Sequence, residues 1–172
     1  MSNVDDLKKA KKILITGDSG RGKTNLSKVL SQKLKLKLYS TDDFFWKIKF
    51  TQKEDKETSL KKISKVYNQN EWIIEGSTRS LVKEGLAKAD AIIYLVYPNL
   101  LSQFLTLFKR SLTRKEEKFI DLFSLYRHLI FKKYGFGSEK GKTGIADMLK
   151  PYKKKVMILY SFKEIDELTK KL

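Results

Sequence analysis

Five short runs of aliphatic and β-branched residues stand out along the chain, at 12–16, 37–40, 71–75, 91–97 and 155–160. Each is nearly continuous in apolar character, the pattern of a strand buried on both faces. Between them the apolar residues change to helical spacing. Leu26, Val29, Leu30 and Leu34 fall on one side of 23–35, and Leu60, Ile63, Val66 and Tyr67 do the same in 56–68. A short helix is expected at 80–89, another started by Pro98 from its first turn, an aromatic one at 119–131 and a last amphipathic one at 162–172. The alternation predicts a three-layer α/β fold whose parallel strands are joined by right-handed crossovers. No internal repeat or low-complexity linker divides the chain, so one domain over 1–172 is expected, long enough to bury a proper core.

The junction between the first strand and the first helix carries the clearest chemistry. Gly17, Asp18, Ser19, Gly20, Arg21, Gly22, Lys23 and Thr24 match G-x-x-x-x-G-K-[ST], and Asn25 follows as the helix proceeds. That spacing is a Walker A loop only when a strand precedes it and a helix follows, and both are expected here. The glycines let successive N–H groups converge on phosphate oxygens, and the helix presents its positive end to the same place. Lys23 is then expected to reach the β- and γ-phosphates of ATP or another nucleoside triphosphate, and Thr24 to ligate Mg²⁺. A second GKT, ending at Thr143, has only three residues between its glycines and no strand before it. It reads as a basic loop.

Two polar clusters fall where parallel strands end, the edge at which such sheets bind ligands. After the second strand come Asp42 and Asp43, and after the third come Glu75 and Arg79. Either aspartate can position an acceptor hydroxyl; equally, Asp42 can cap a helix with Asp43 in its first turn. An acid ending an apolar strand needs a partner, and Mg²⁺ supplies one for Glu75. Arg79 suits an anionic substrate or the phosphoryl group in transfer. Arg110 and Arg114, one helical turn apart, suit a basic lid at about 109–118 that closes over the phosphates, although cations at a helix C-terminus also answer its dipole.

Composition narrows the classes. The 172 residues contain no cysteine, which excludes disulfides, thiolate metal sites and cysteine nucleophiles, and the single histidine, His128, excludes a Ser-His-Asp triad built beside a histidine metal site. The start has no apolar segment of a secretory signal and no run is long enough to span a membrane, so a soluble, cytoplasmic protein without membrane partners is expected. Thirty-seven Lys and Arg against twenty Asp and Glu give a net charge of +17. Such a charge favours polyanions. The lysines are nonetheless spread over every segment, where dedicated nucleic-acid binding calls for basic residues on one surface.

Taken together, the loop at 17–24, Asp42 to Trp46, Glu71 to Ser77 with Arg79, Ala89 to Leu95 before Pro98, Lys109 and Arg110 with Arg114, and Lys155 to Ser161 resemble the bacterial DNA topology modulation proteins. These form a branch of the adenylate-kinase-related P-loop kinases. The resemblance implies a five-stranded parallel core in the order 2-3-1-4-5, a short helical lid between the fourth and fifth strands, and an acceptor site between the second and third. It implies that Glu75 stands at the acidic position serving Mg²⁺, where Asp is usual, and that the segment near Ser161 and Phe162 approaches the nucleotide base. Arg21 occupies a position where a small residue is usual, and the loop at 135–144 looks inserted. The expected function is ATP- and Mg²⁺-dependent phosphoryl transfer to a nucleoside, nucleotide or other small hydroxyl acceptor. The alternative is a nucleotide-binding regulator acting on nucleic acid.

Overall fold

The computed structural model describes residues 4–48, 51–113, 126–127 and 143–172. In chain order the strands are β1 (Lys12–Gly17), β2 (Leu38–Ser40), β3 (Trp46–Ile48), β4 (Gln52–Lys53), β5 (Trp72–Glu75), β6 (Ala91–Leu95) and β7 (Val156–Leu159). The helices are α1 (Val4–Lys9), α2 (Lys23–Leu34), α3 (Thr41–Phe45), α4 (Lys56–Tyr67), α5 (Arg79–Lys88), α6 (Leu100–Thr113), α7 (Ile145–Leu149) and α8 (Phe162–Lys171). Five strands pair in parallel in the order β2-β5-β1-β6-β7. Counted without the hairpin β3–β4, this is 2-3-1-4-5, the order expected.

Alternation within the strands divides the core into two layers. Ile13 and Ile15 of β1, Ile73 of β5 and Ile93 of β6 face α1, α2 and α8, where they meet Leu7, Leu26, Leu30, Ile165 and Leu168. Leu14, Trp72, Ile74 and Ile92 face the other way, onto Ile63, Val66, Tyr67, Leu81 and Leu86 of α4 and α5 and Ile145 and Leu149 of α7. Each fully buried aliphatic side chain contributes about 1.5–3 kcal/mol by leaving water, so a run buried on both faces is what holds the sheet between its helices. Tyr67 fixes the α4–α5 contact: its hydroxyl donates to the Leu81 carbonyl at 2.9 Å, and a Cβ on Gly85 would stand 2.5 Å from its ring.

Local differences from the sequence reading have local causes. The helix after Pro98 begins at Leu100, because Asn99 caps it by accepting from the Ser102 N–H at 2.8 Å. The hairpin β3–β4, paired Trp46 to Lys53 and stiffened by an edge-on Phe45–Trp46 contact, was not expected, since strands of three and two residues leave no periodic pattern to read. Of the helix expected at 119–131 only Tyr126 and Arg127 are described, and the loop at 135–142, His128 and residues 114–118 of the expected lid lie outside the described residues.

Candidate functional site

The carboxyl ends of the parallel strands share one edge, and the loop from Gly17 to Thr24 lies on it. Gly17 ends β1 at φ 134°, so close to β6 that a Cβ there would stand 1.9 Å from the Leu95 carbonyl oxygen. Gly20 and Gly22 have φ of 80° and 85°, and Gly22 is the residue that starts α2. The carbonyls of the loop are taken up by side chains, two by the loop's own Lys23 and two by residues from outside it. Those of Gly17 and Asp18 accept from Lys23 Nζ at 3.1 and 2.8 Å. Those of Ser19 and Gly20 accept from Gln103 Nε2 at 3.3 Å and from the Tyr97 hydroxyl at 3.0 Å. Left-handed glycines alternating with ordinary residues, and carbonyls drawn outward, turn the N–H groups into one concave nest that suits an anion. The first N–H groups of α2 add to it, since Leu26 is the residue that returns its N–H to Gly22.

Asp18 is committed to the scaffold: its Oδ2 accepts from the Tyr97 N–H at 2.8 Å, and its own N–H donates to the Leu95 carbonyl. The Arg21 guanidinium points away from the nest. It is buried between the rings of Tyr97 and Phe162, 4.4 and 4.7 Å from their centroids, and donates to the Tyr160 carbonyl. Arg21 therefore enters the loop through its backbone alone, and the unusual size of this residue is absorbed by the aromatic stack. Asn25 is exposed in the first turn of α2.

Beside the nest, the ends of β2 and β5 bring a carboxylate against two hydroxyls. Glu75 is 7% exposed and accepts from Ser40 Oγ at 3.0 Å and from Thr24 Oγ1 at 3.4 Å. Burial pushes its carboxyl above the ordinary range; the Ser40 hydroxyl and the Lys23 charge pull against that, and the Asp42 charge adds to it. Gly76 makes this crowding possible, because a Cβ there would overlap the hydroxyl of Thr41, itself fully buried.

Asp42 and Asp43 both sit in the first turn of α3, which Ser40 caps by accepting from the Asp42 N–H at 3.3 Å. The cap is therefore Ser40, not Asp42, and Asp42 is left half-buried at the edge while Asp43 is exposed. Arg79 opens α5, where a cation works against the helix dipole and an anion beside it would be favoured. Arg110 lies in α6 by its backbone, and Arg114 lies outside the described residues. The structure thus brings Lys23, Thr24, Asp42 and Glu75 together, places Arg79 and Asp43 on the same edge of the sheet, and leaves the arginine lid undescribed. Ser40, Tyr97 and Gln103 were not singled out from the sequence. Ser40 had a signal, a hydroxyl ending a strand before two acids; the other two had none.

No family model matches the chain, and no curated protein matches it. Solved structures do. The chain is similar to the shikimate kinase from Bacteroides thetaiotaomicron at 15% identity, with 94% of this chain and 95% of that one covered and a TM-score of 0.54. It is similar to the shikimate kinase from Acinetobacter baumannii in complex with shikimate at 12% identity, covering 98% and 94%, TM-score 0.54. A gluconokinase from Sinorhizobium meliloti 1021 matches at 11% identity over 92% and 87%, TM-score 0.53. At such identities the shared property is the fold, that of small P-loop kinases.

Proposed function

We propose that the protein is an ATP- and Mg²⁺-dependent kinase of a small hydroxylated acceptor. The observation that carries this reading is the convergence of Thr24, Glu75, Ser40, Asp42 and Lys23 beside a loop whose carbonyls are drawn outward. The nest of N–H groups holds the β- and γ-phosphates. Lys23 leaves the carbonyls of Gly17 and Asp18 and moves onto the phosphate oxygens, where it neutralises the charge that spreads in transfer.

A hard divalent cation fits the residues present. Thr24 and Glu75 supply two oxygens, and Glu75 is a buried carboxylate that accepts from the hydroxyls of Ser40 and Thr24. Among the described residues no group of three acidic, histidine or cysteine side chains could hold a metal, so phosphate oxygens and water would complete the shell. When bound, Mg²⁺ screens the phosphate charge.

Asp42 or Asp43 accepts the proton as the acceptor oxygen bonds to the γ-phosphorus; the bond to the β,γ-bridging oxygen breaks and ADP leaves. Arg79 pairs with an anionic acceptor or with the group in flight. Shikimate and gluconate head the acceptor panel, because solved structures of similar fold carry the names shikimate kinase and gluconokinase. The test is acceptor-stimulated ADP release over a panel of sugar acids, nucleosides and nucleotides, beside calorimetric ATP binding. Saturable ATP binding that Lys23→Ala removes, with at least one stimulating acceptor, is the expected result. Absence of ATP binding would overturn the reading.

A further inference from the structure

The lysines that look dispersed along the sequence are collected by the topology. In a parallel sheet covered by crossover helices, strands begin on the edge where the preceding helices end. Lys37, Lys11, Lys12 and Lys155 stand at or just before the starts of β2, β1 and β7, opposite the nucleotide edge. Hydrogen bonds join them into one row. The Lys37 carbonyl accepts from the Ile73 N–H, and the Lys11 carbonyl from the Trp72 N–H. The Lys12 carbonyl accepts from the Asp90 N–H, and Lys155 Nζ donates to the carbonyls of Ala87 and Ala89 at 3.0 and 2.6 Å.

Helices end along the same row, with Lys9 on α1, Lys33 on α2, Lys65 on α4 and Lys171 on α8 in their last turns. Lys35, the left-handed cap of α2, and Lys154 are exposed beside them. Two acids stand among the strand starts, and both are engaged. Glu71 lies 3.5 Å from Lys11 Nζ, and Asp90 Oδ2 accepts the N–H groups of Lys11 and Lys12 at 3.0 and 2.9 Å. Asp5 and Asp6 lie in the first turn of α1, a turn away from Lys8 and Lys9.

Helix dipoles account for lysines in last turns. They do not account for Lys11, Lys12 and Lys37 at strand starts. We propose that this edge binds the phosphate backbone of duplex nucleic acid, independently of the nucleotide loop on the other edge. Five strands about 4.8 Å apart make a row roughly 20 Å long, enough to span about six base pairs along the duplex axis. The row has lysines and no arginine, so it supplies point charges without the planar fork that reads guanine; the binding is sequence-independent. Among the described residues, none of the large apolar side chains left exposed belongs to the strand starts or to the helix ends of this row, which disfavours a bilayer interface.

The test uses the full chain and a fluorescent mixed-sequence duplex of about 20 base pairs, read by anisotropy across a salt series. One variant carries Lys9→Glu, Lys35→Glu, Lys37→Glu, Lys154→Glu and Lys171→Glu. A control of equal charge carries Lys28→Glu, Lys47→Glu, Lys56→Glu, Lys61→Glu and Lys163→Glu, on other surfaces. Circular dichroism and thermal melting check that both fold, and a Lys→Gln version of the edge variant serves if the Glu version does not. The edge variant should lose about 30-fold or more in affinity at roughly 100 mM salt and flatten the salt slope by about four, and the control should stay within about threefold. Lys23→Ala should bind duplex as the natural chain does. Equal losses in both variants, no binding by the natural chain, loss on Lys23→Ala, or edge-dependent binding of phosphatidylglycerol vesicles without duplex binding would each overturn the proposal.

Discussion

The two ends of the one parallel sheet use charge in opposite ways. At the carboxyl ends, three charged groups are held at least partly out of water: Glu75 between Ser40 and Thr24, Lys23 on two carbonyls, and Arg21 between two rings. At the amino ends the charges are more numerous, nearly all of one sign and mostly exposed. Burial multiplies the worth of a single charge and its cost when unpaired, so the first end has the physics of selective chemistry. Exposed like charges act together and over distance, so the second has the physics of attraction without selection. Strand direction alone assigns which end is which.

Removing Lys23 is the sharpest way to break the first end while leaving the second intact. Lys23→Ala should lower acceptor-stimulated ADP release by about 100-fold or more. Melting temperature should move little, because the lysine is only half-buried and its partners are loop carbonyls that water can serve. Steady-state kinetics beside a melt checks both outcomes. The next effect is steric. Gly17→Ala would put a methyl 1.9 Å from a backbone oxygen at φ 134°, and should cost about 3–5 kcal/mol in denaturant unfolding. Gly22→Ala, at φ 85° but with its nearest neighbour 3.5 Å away on the Phe162 ring, should cost only about 1 kcal/mol. If the two cost the same, backbone conformation rather than close approach governs the loop.

The difference between those glycines shows how far the sequence could be read. The loop at 17–24 and the five strands were legible, because the spacing of glycines and a run of apolar residues are local signals. That Gly17 is fixed by Leu95 and Gly76 by Thr41 was not, since those contacts join distant segments. Arg21 was legible as unusual, but its position between Tyr97 and Phe162 depends on residues 76 and 141 places further on. Which lysines are neighbours was not legible for the same reason: sequence distance hides that strand starts and helix ends share an edge.

Glu75 sharpens the comparison through pH. Burial raises its carboxyl, so in metal-free protein the folded state holds a proton that the unfolded chain has released. Folding stability should therefore fall as pH rises from the ordinary carboxylate range through the raised value. Glu75→Gln should flatten that slope, measured by urea unfolding at a series of pH values. A slope that persists in the variant would assign it to another group.

The smallest effects belong to the lysine edge, and they divide it. Lys154 is exposed, whereas Lys155 is half-buried with its ammonium on the carbonyls of Ala87 and Ala89, and burial draws its pKa down. Lys154→Gln should leave stability within about 0.5 kcal/mol, because interactions of a solvent-exposed charge contribute little. Lys155→Gln should cost about 1–2 kcal/mol, because it strips two carbonyls at the end of α5 of a charged donor. Duplex affinity should respond the other way round, with Lys154→Gln lowering it about twofold and Lys155→Gln hardly at all, since an ammonium already on two carbonyls has less to offer a phosphate. Equal responses from the neighbouring pair would mean that the edge acts as bulk charge, whatever each lysine touches.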